Sequence, residues 1–529
     1  MPRLDVRALI RGELQERKIV WLILDAAGYE ITTRCIQAGV CPSLARIQEQ
    51  GYFGPSRPPE PNCETPPALR ALFSGSEPAE SGIWGYQMPD YAGRLERPVS
   101  GFEVPISGAA PIWEEMERRG KSYTLFNAAF RRDPVWGKGY TGYDLLLDGY
   151  RHYRPDWSWA RIGTGPLKQK IGGAAIVIDS EDDSVSLRRG RRTIATLAPG
   201  EIRSIQLNRR SSALGYSTGK ILYLSSSCRP HIRLSKDLPE GPSALVPQFV
   251  HHGSLFRYSR MNQGLSIDEE LRLSEYASRQ MAELALNAVR QISSTLTVLY
   301  FSLIDELCHV YLDQIEGLWP EGRAAELLRR CYRLIDRYVG EIMDCINSHT
   351  LLVLSADHGQ APYRRALYLN DLLVEAGLVR LGKRGYDLRR SVAYYHPANC
   401  GQVVVNPGQA KKAGLSGEKI GERVLRCVEQ ANSSLGSEIA HLWGGENDPY
   451  LLFLYPRGDT HLTGRHHPKT AVLDTNLKGG QHLSPLCPTP WMQAMLGLWS
   501  PDGLPFDRRS IPKRNTEMKD FLLTYLDET

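Results

Sequence analysis

Three short apolar runs constrain this 529-residue chain more than any other feature: "IVWLIL" at 19–24, "LTVLYFSLI" at 296–304 and "LLVLS" at 351–355. Each is continuous. A strand with one wet face alternates apolar and polar residues, whereas a strand covered on both faces need not. The runs therefore predict an α/β fold with a mainly parallel central sheet flanked by helices. Each run leads to an acid: Asp25, Asp305 and Asp357. In open α/β sheets, ligands sit beyond the carboxyl ends of the strands. The three acids converge there only if the strands are neighbours. Converging carboxylates repel and raise one another's pKa, and a divalent cation removes that problem.

The stretches between the runs carry helical patterns. "PSLARIQEQG" (42–51) ends in a glycine suited to a helix C-terminus. "AAELLRRCYRLIDRYVGEIMDCI" (324–346) places Leu327, Leu328, Cys331, Leu334, Ile335, Tyr338 and Ile342 at i, i+3, i+4 spacing, as in an amphipathic helix lying on a sheet. From about 168 to 245, short β-like runs broken by Gly, Pro, Asp and Ser predict an antiparallel insertion. A strand-like "GQVVVN" (401–406) and a helix near 417–433 mark a further segment. The expected organisation is a first core part over 16–165, a β-rich, cap-like insertion over 166–250, and a second core part over 251–529 that includes a 360–475 subdomain.

Composition narrows the function classes. With 42% hydrophobic and 23% charged residues the chain reads as globular. Its 64 basic and 59 acidic residues leave a net charge of +5. That is too little to imply nucleic acid, yet it suits a small anionic substrate. No stretch of about 20 apolar residues could span a bilayer, so no membrane partner is expected. Ten cysteines without a Cys-x-x-Cys pair read as free thiols in a reducing compartment, which predicts a cytoplasmic location. Arginines at 188, 189, 191, 192, 203, 209 and 210 make the insertion locally basic. They keep one competing class open, an RNA-binding protein with salt-sensitive affinity. Nothing in the sequence sets an oligomeric state.

The acids have company. Asp305 and His309 stand four apart in "DELCH", Asp357 and His358 are adjacent in "ADHGQ", and His482 follows two glycines in what reads as a polar loop, "KGGQHLSP". Gly359 leaves space and permits an unusual backbone turn. Mixed oxygen and imidazole donors favour zinc or another first-row metal over magnesium or calcium. The donors suffice for two ions, which about 4 Å apart can clamp an oxyanion during displacement at phosphorus. A nucleophile is available in "NCETPPALRALFSG" (62–75). Thr65 is expected at an N-cap, Pro66 in the first helical turn and Gly75 at the stop. Thr65 could serve only as a cap; alternatively, the helix N-terminus offers N–H groups and a positive dipole end to a phosphate.

In order and context these motifs resemble the type I phosphodiesterase/nucleotide pyrophosphatase branch of the alkaline phosphatase superfamily. Asp25 in "LILDAAG", Thr65 in "ETPPALRALFSGSEPAESGIWG", Asp305 and His309 in "DELCH", Asp357 and His358 in "ADHGQ", and His482 match in turn. The resemblance implies an alkaline-phosphatase-like core and two divalent ions, with zinc the expected metal. One ion would be held by Asp305, His309 and His482, the other by Asp25, Asp357, His358 and Thr65. It further implies a Thr65 alkoxide that attacks phosphorus and a phospho-threonine that water then hydrolyses. The sequence departs from the pattern at Tyr86, where relatives of the nucleotide pyrophosphatase type carry an asparagine. Asn127 in "FNAAFRR" could supply that amide, and Arg131 and Arg132 could supply charge. The alternative on the same core is a phosphonate or phosphomonoester hydrolase. "GKGYTG" (137–142) follows no apolar strand and is not read as a dinucleotide fingerprint; "GRHHPK" (464–469) is read as a charged surface loop.

Overall fold

A computed structural model describes residues 16–527 except 91–97, 105–107, 129–140, 149–156, 162–164, 172, 182–183, 210, 220, 228–230, 236–265, 384, 398, 446–447, 465–471 and 476–477. Eight strands build the central sheet. In chain order they are β1 (Lys18–Leu24), β2 (Tyr52–Ser56), β3 (Tyr123–Phe126), β4 (Tyr143–Asp148), β5 (His231–Leu234), β6 (Leu296–Phe301), β7 (Thr350–Ser355) and β8 (Ala494–Trp499). They lie in the order β5-β4-β3-β6-β1-β7-β8-β2. The β4-β3-β6-β1-β7 block is parallel, β5 and β8 flank it antiparallel, and β2 pairs antiparallel with β8. The three apolar runs are therefore adjacent, with β1 between β6 and β7.

The continuous pattern has the predicted cause. Val20, Leu22 and Leu24 of β1 face one hydrophobic cluster, and Ile19, Trp21 and Ile23 face another. Helices supply both covers. On the first face lie α1 (Pro42–Gln50), and later α3 (Ile267–Gln291), α4 (Leu303–Leu318) and α5 (Arg323–Met343); on the second lies α2 (Thr65–Ser74). The α5 stripe is buried as its spacing predicts. Its Asp336 accepts from the Ser43 and Leu44 N–H groups at 3.0 and 2.9 Å, capping α1 from another helix.

Gly51 does follow α1, but with φ −129° it is no left-handed cap. A Cβ there would lie 2.1 Å from the Leu498 carbonyl oxygen, so β8 is what requires the glycine. Gly75 after α2 is left-handed at φ 75°, the expected stop.

Two four-stranded antiparallel sheets occupy the region of the expected insertion, beginning before it at Trp157, while His231–Leu234 within it joins the central sheet as β5. One holds 167–171, 174–181, 184–189 and 192–197; the other holds 157–161, 202–208, 211–217 and 221–227. Ile176, Val185 and Leu187 of the first share one cluster with Ile205, Ala213 and Leu222 of the second. Between 367 and 473 a further cluster joins the sheet of 393–395, 402–405, 452–456 and 439–443 to its helices, including Gly417–Leu435.

Candidate active site

The carboxyl edge of the parallel block gathers the donors. Asp25 directly follows β1, and Asp357 and His358 lie just beyond β7. Asp305 sits in the first turn of α4, which opens two residues after β6, so His309 lies one helical turn on. His482 comes from far along the chain. The residues before it are not a loop: Gly479–Gln481 form a strand paired with Ala361–Tyr363. Cβ atoms at Gly479 and Gly480 would come within 2.5 and 2.4 Å of the His309 and Cys308 carbonyl oxygens. The two glycines let this strand lie against α4, and His482 is buried beside His309, with ring centroids 4.8 Å apart.

Two donor groups result. Asp305, His309 and His482 form one; Asp25, Asp357 and His358 form the other, each with ligand atoms within 4.8 Å of one another. The His358 and His482 rings, 4.4 Å apart, join the two groups. In the first, Asp305 Oδ1 lies 3.1 Å from His482 Nε2 and 3.4 Å from His309 Nε2. In the second, His358 Nε2 lies 3.3 Å from Asp25 Oδ1, 3.4 Å from Asp357 Oδ2 and 3.3 Å from Thr65 Oγ1. A tetrahedral ion with bonds of about 2.0–2.1 Å separates its ligands by roughly 3.3–3.4 Å. The donor spacings fit such an ion.

The proton positions agree. His358 Nδ1 is 3.1 Å from the Gly359 carbonyl and His309 Nδ1 is 3.2 Å from that of Gly480. A carbonyl only accepts, so each Nδ1 carries the proton and each Nε2 turns a lone pair inward. Burial pushes the His358 pKa down to about 4, and it also lowers that of His482. Asp25 Oδ1 and Asp357 Oδ2 receive no hydrogen bond. A buried set of acceptors facing one point calls for a cation. Without one, burial and the charges of Asp357 and Asp305 raise Asp25 well above the carboxylate range, and burial lifts Asp357 to about 7. Burial acts the same way on Asp305, but the His309, His482 and His358 imidazoles outweigh it and hold that carboxyl low.

Thr65 is not an N-cap. Glu64 takes that place and Thr65 is the first helical residue, with no side-chain cap bond. Its hydroxyl is directed instead to His358 Nε2 and to Tyr86 Oη, 2.7 Å away. Pro66 and Pro67 remove two of the N–H groups expected at this helix end, so Thr65 is the sole N–H donor of the first three residues. Tyr86 lies beside the nucleophile candidate, with its ring stacked on His482 at 6.3 Å. Asn127 follows β3 with a left-handed φ of 57°, on the same edge of the sheet as Asp25. Arg131 and Arg132 lie outside the described residues.

Sequence reasoning missed several supports. Tyr300, hidden in the β6 run, donates its hydroxyl to Asp25 Oδ2. Ala26 adopts a left-handed φ of 54°, costing roughly 1–2 kcal/mol, and aims its N–H at Asp357 Oδ1, 3.1 Å away. Gly359 is needed because a Cβ would lie 2.0 Å from the Trp491 carbonyl oxygen. Buried Glu64 accepts from Asn62 Nδ2 (3.1 Å), Tyr86 N (3.2 Å) and Cys400 N (3.0 Å), tying the Tyr86 loop to Cys400, 336 positions beyond Glu64. Burial raises its pKa to about 7. In the insertion, Arg188 pairs with Asp179 and Arg203 with Glu201, which reduces its free positive charge.

A family model described as type I phosphodiesterase / nucleotide pyrophosphatase matches residues 19–424. Of the six donors, only His482 falls beyond that span. Comparison with curated proteins gives no match. Among solved structures, phosphonoacetate hydrolase from Sinorhizobium meliloti 1021 in complex with phosphonoformate is 15% identical at a TM-score of 0.50, covering 97% of this chain and 96% of that one. Murine ectonucleotide pyrophosphatase / phosphodiesterase 5 is 11% identical at a TM-score of 0.49, with coverages of 97% and 96%. The first of these likenesses is one of fold.

Proposed function

The chain belongs to the type I phosphodiesterase/nucleotide pyrophosphatase family of phosphoester hydrolases, and from this premise we propose that it cleaves a small anionic phosphodiester or pyrophosphate through Thr65 and two zinc ions. One observation carries the reading. Thr65 Oγ1, freed from capping, is 3.3 Å from His358 Nε2, in the same acceptor set as Asp25 and Asp357.

Asp305, His309 and His482 would hold one ion, and Asp25, Asp357, His358 and Thr65 the other. Bound zinc would supply charge to the phosphoryl and leaving oxygens and favour the Thr65 alkoxide and a hydroxide from water. Thr65 Oγ1 attacks phosphorus, the P–O bond to the leaving group breaks, and water hydrolyses the phospho-threonine to restore Thr65. Tyr86 holds Oγ1 in the resting site and can donate to a phosphoryl oxygen during attack. Asn127 stands at the same edge as a second candidate amide.

Thr65→Ala should keep both metals by elemental analysis yet lose about 10³-fold or more in turnover. Near wild-type rates would overturn the nucleophile assignment. The second reading, a phosphonate or phosphomonoester hydrolase, is favoured by one observation: a phenol, not an amide, faces Thr65. Rates on a bis-aryl phosphate, a mono-aryl phosphate and phosphonoacetate separate the two. Nine free cysteines among the described residues support a cytoplasmic location. No helix among those residues is long and apolar enough to cross a membrane.

A further inference from the structure

Gln360 follows the Asp357-His358-Gly359 motif and is 3% exposed. Its amide reaches into the Asp305 group, with Nε2 donating to Asp305 Oδ1 at 2.5 Å, 3.3 Å from the Asp305 carbonyl oxygen and 3.4 Å from His482 Nε2. The His482 separation matches the edge of a tetrahedral ligand set; the Asp305 contacts are hydrogen bonds from the NH₂ group. Its other end is uncomfortable. Oε1 is buried without a hydrogen bond. A Cβ on Gly480 would lie 2.6 Å from Oε1 and 2.4 Å from the Cys308 carbonyl oxygen. Oε1 and the Cys308 carbonyl oxygen thus both face Gly480, two acceptors on one side of the amide.

Turning the amide by 180° exchanges two ends of nearly equal size. The oxygen then faces Asp305, His309 and His482, and the NH₂ group faces Cys308. We infer that Gln360 is a fourth protein ligand of the Asp305/His309/His482 site, presenting Oε1 to a divalent ion and Nε2 to Asp305 when no ion is bound. Catalytic zinc sites commonly keep three protein ligands and an open position. Here the fourth corner carries a neutral and exchangeable donor, which strengthens retention of the ion between turnovers. The assignment rests on the two-metal reading above.

The test is cobalt binding by Gln360→Leu and Gln360→Glu, measured by competition with a chromophoric chelator and by the visible cobalt spectrum. Leucine removes every polar atom; glutamate keeps the oxygen but cannot donate to Asp305 when ionised. As a ligand, Gln360→Leu weakens one of two sites about 10–100-fold and alters its spectrum, and Gln360→Glu restores binding. A purely donating role predicts the reverse, with glutamate no better than leucine because it sets two carboxylates together. That result, or wild-type affinity and spectrum in Gln360→Leu, would overturn the assignment. Wild-type protein that binds no cobalt would instead sink the two-metal reading beneath it.

Discussion

In the metal-stripped protein Asp357 should draw stability down as pH rises, measured against a chain without that carboxyl, while the lowered His358 and His482 pull the other way in both chains. The carboxyl is fully buried; Oδ1 accepts from the Ala26 and His358 N–H groups while Oδ2 has no donor. Burial lifts its pKa from the ordinary 3.8 to about 7, with the Asp305 charge adding to the rise. A raised carboxyl contributes stability fully below its unfolded value and loses it as pH climbs through the folded one. At about 1.4 kcal/mol per pH unit, the full loss is about 4 kcal/mol, of which roughly 3 falls between pH 5 and pH 8. Asp25 shifts in the same direction and steepens the fall. The assay is urea unfolding of chelator-treated wild type and Asp357→Asn across that range, followed by tryptophan fluorescence, to which buried Trp21 on β1 contributes. Stripped wild type should lose roughly 3 kcal/mol relative to stripped Asp357→Asn, and the zinc-loaded protein should not show this loss. A difference between the two stripped proteins that stays constant from pH 5 to pH 8 would refute the reasoning.

Three further outcomes are expected. Tyr86→Phe deletes the 2.7 Å contact to Thr65; kcat should fall about 10–100-fold at unchanged metal content, and steady-state kinetics with elemental analysis checks both. Gly359→Ala drives a methyl group against the Trp491 backbone carbonyl; thermal melts should show destabilisation of about 3 kcal/mol or more, with metal lost. Tyr300→Phe removes the donor to Asp25 Oδ2 and should weaken one metal site about 10-fold or more in chelator competition, while a chain that binds both ions as tightly as before would rule out an orienting role.

The central sheet was legible because its strands are covered on both faces. That condition writes itself into the sequence as unbroken apolar runs, and Asp25, Asp305 and Asp357 stood out at their ends. Tyr300 was hidden by the same condition. In a run without alternation, nothing marks the one phenol whose hydroxyl turns to a carboxylate. Glu64 and Gln360 adjoin recognisable motifs, yet their roles depend on partners that the chain returns from afar: Cys400 to Glu64, and Gly480 and His482 to Gln360. Thr65 was expected one position early in its helix. Threonine is a preferred cap residue and glutamate is not, so the sequence favoured Thr65 as the start, and nothing local showed that its hydroxyl turns to His358 and Tyr86. Gly51 read as a helix stop and Gly479 and Gly480 as part of a polar loop, while Gly359 was expected to leave space; each is fixed by a carbonyl approaching from another element.

The central position of β1 also bears on how the chain is made. Its first partner in the sheet begins at Leu296 and its second at Thr350. A ribosome adding about 5–20 residues per second needs roughly 15–55 seconds to reach the first of them. Throughout that interval "IVWLIL" has left the ribosome with neither neighbouring strand in existence, an adhesive segment in a crowded cell. Heavy reliance on chaperones early in translation follows, and the Asp305/His309/His482 group is complete only when His482, the last of the six donors, has been synthesised. Expression should therefore respond more to slower growth and added chaperone than to added zinc.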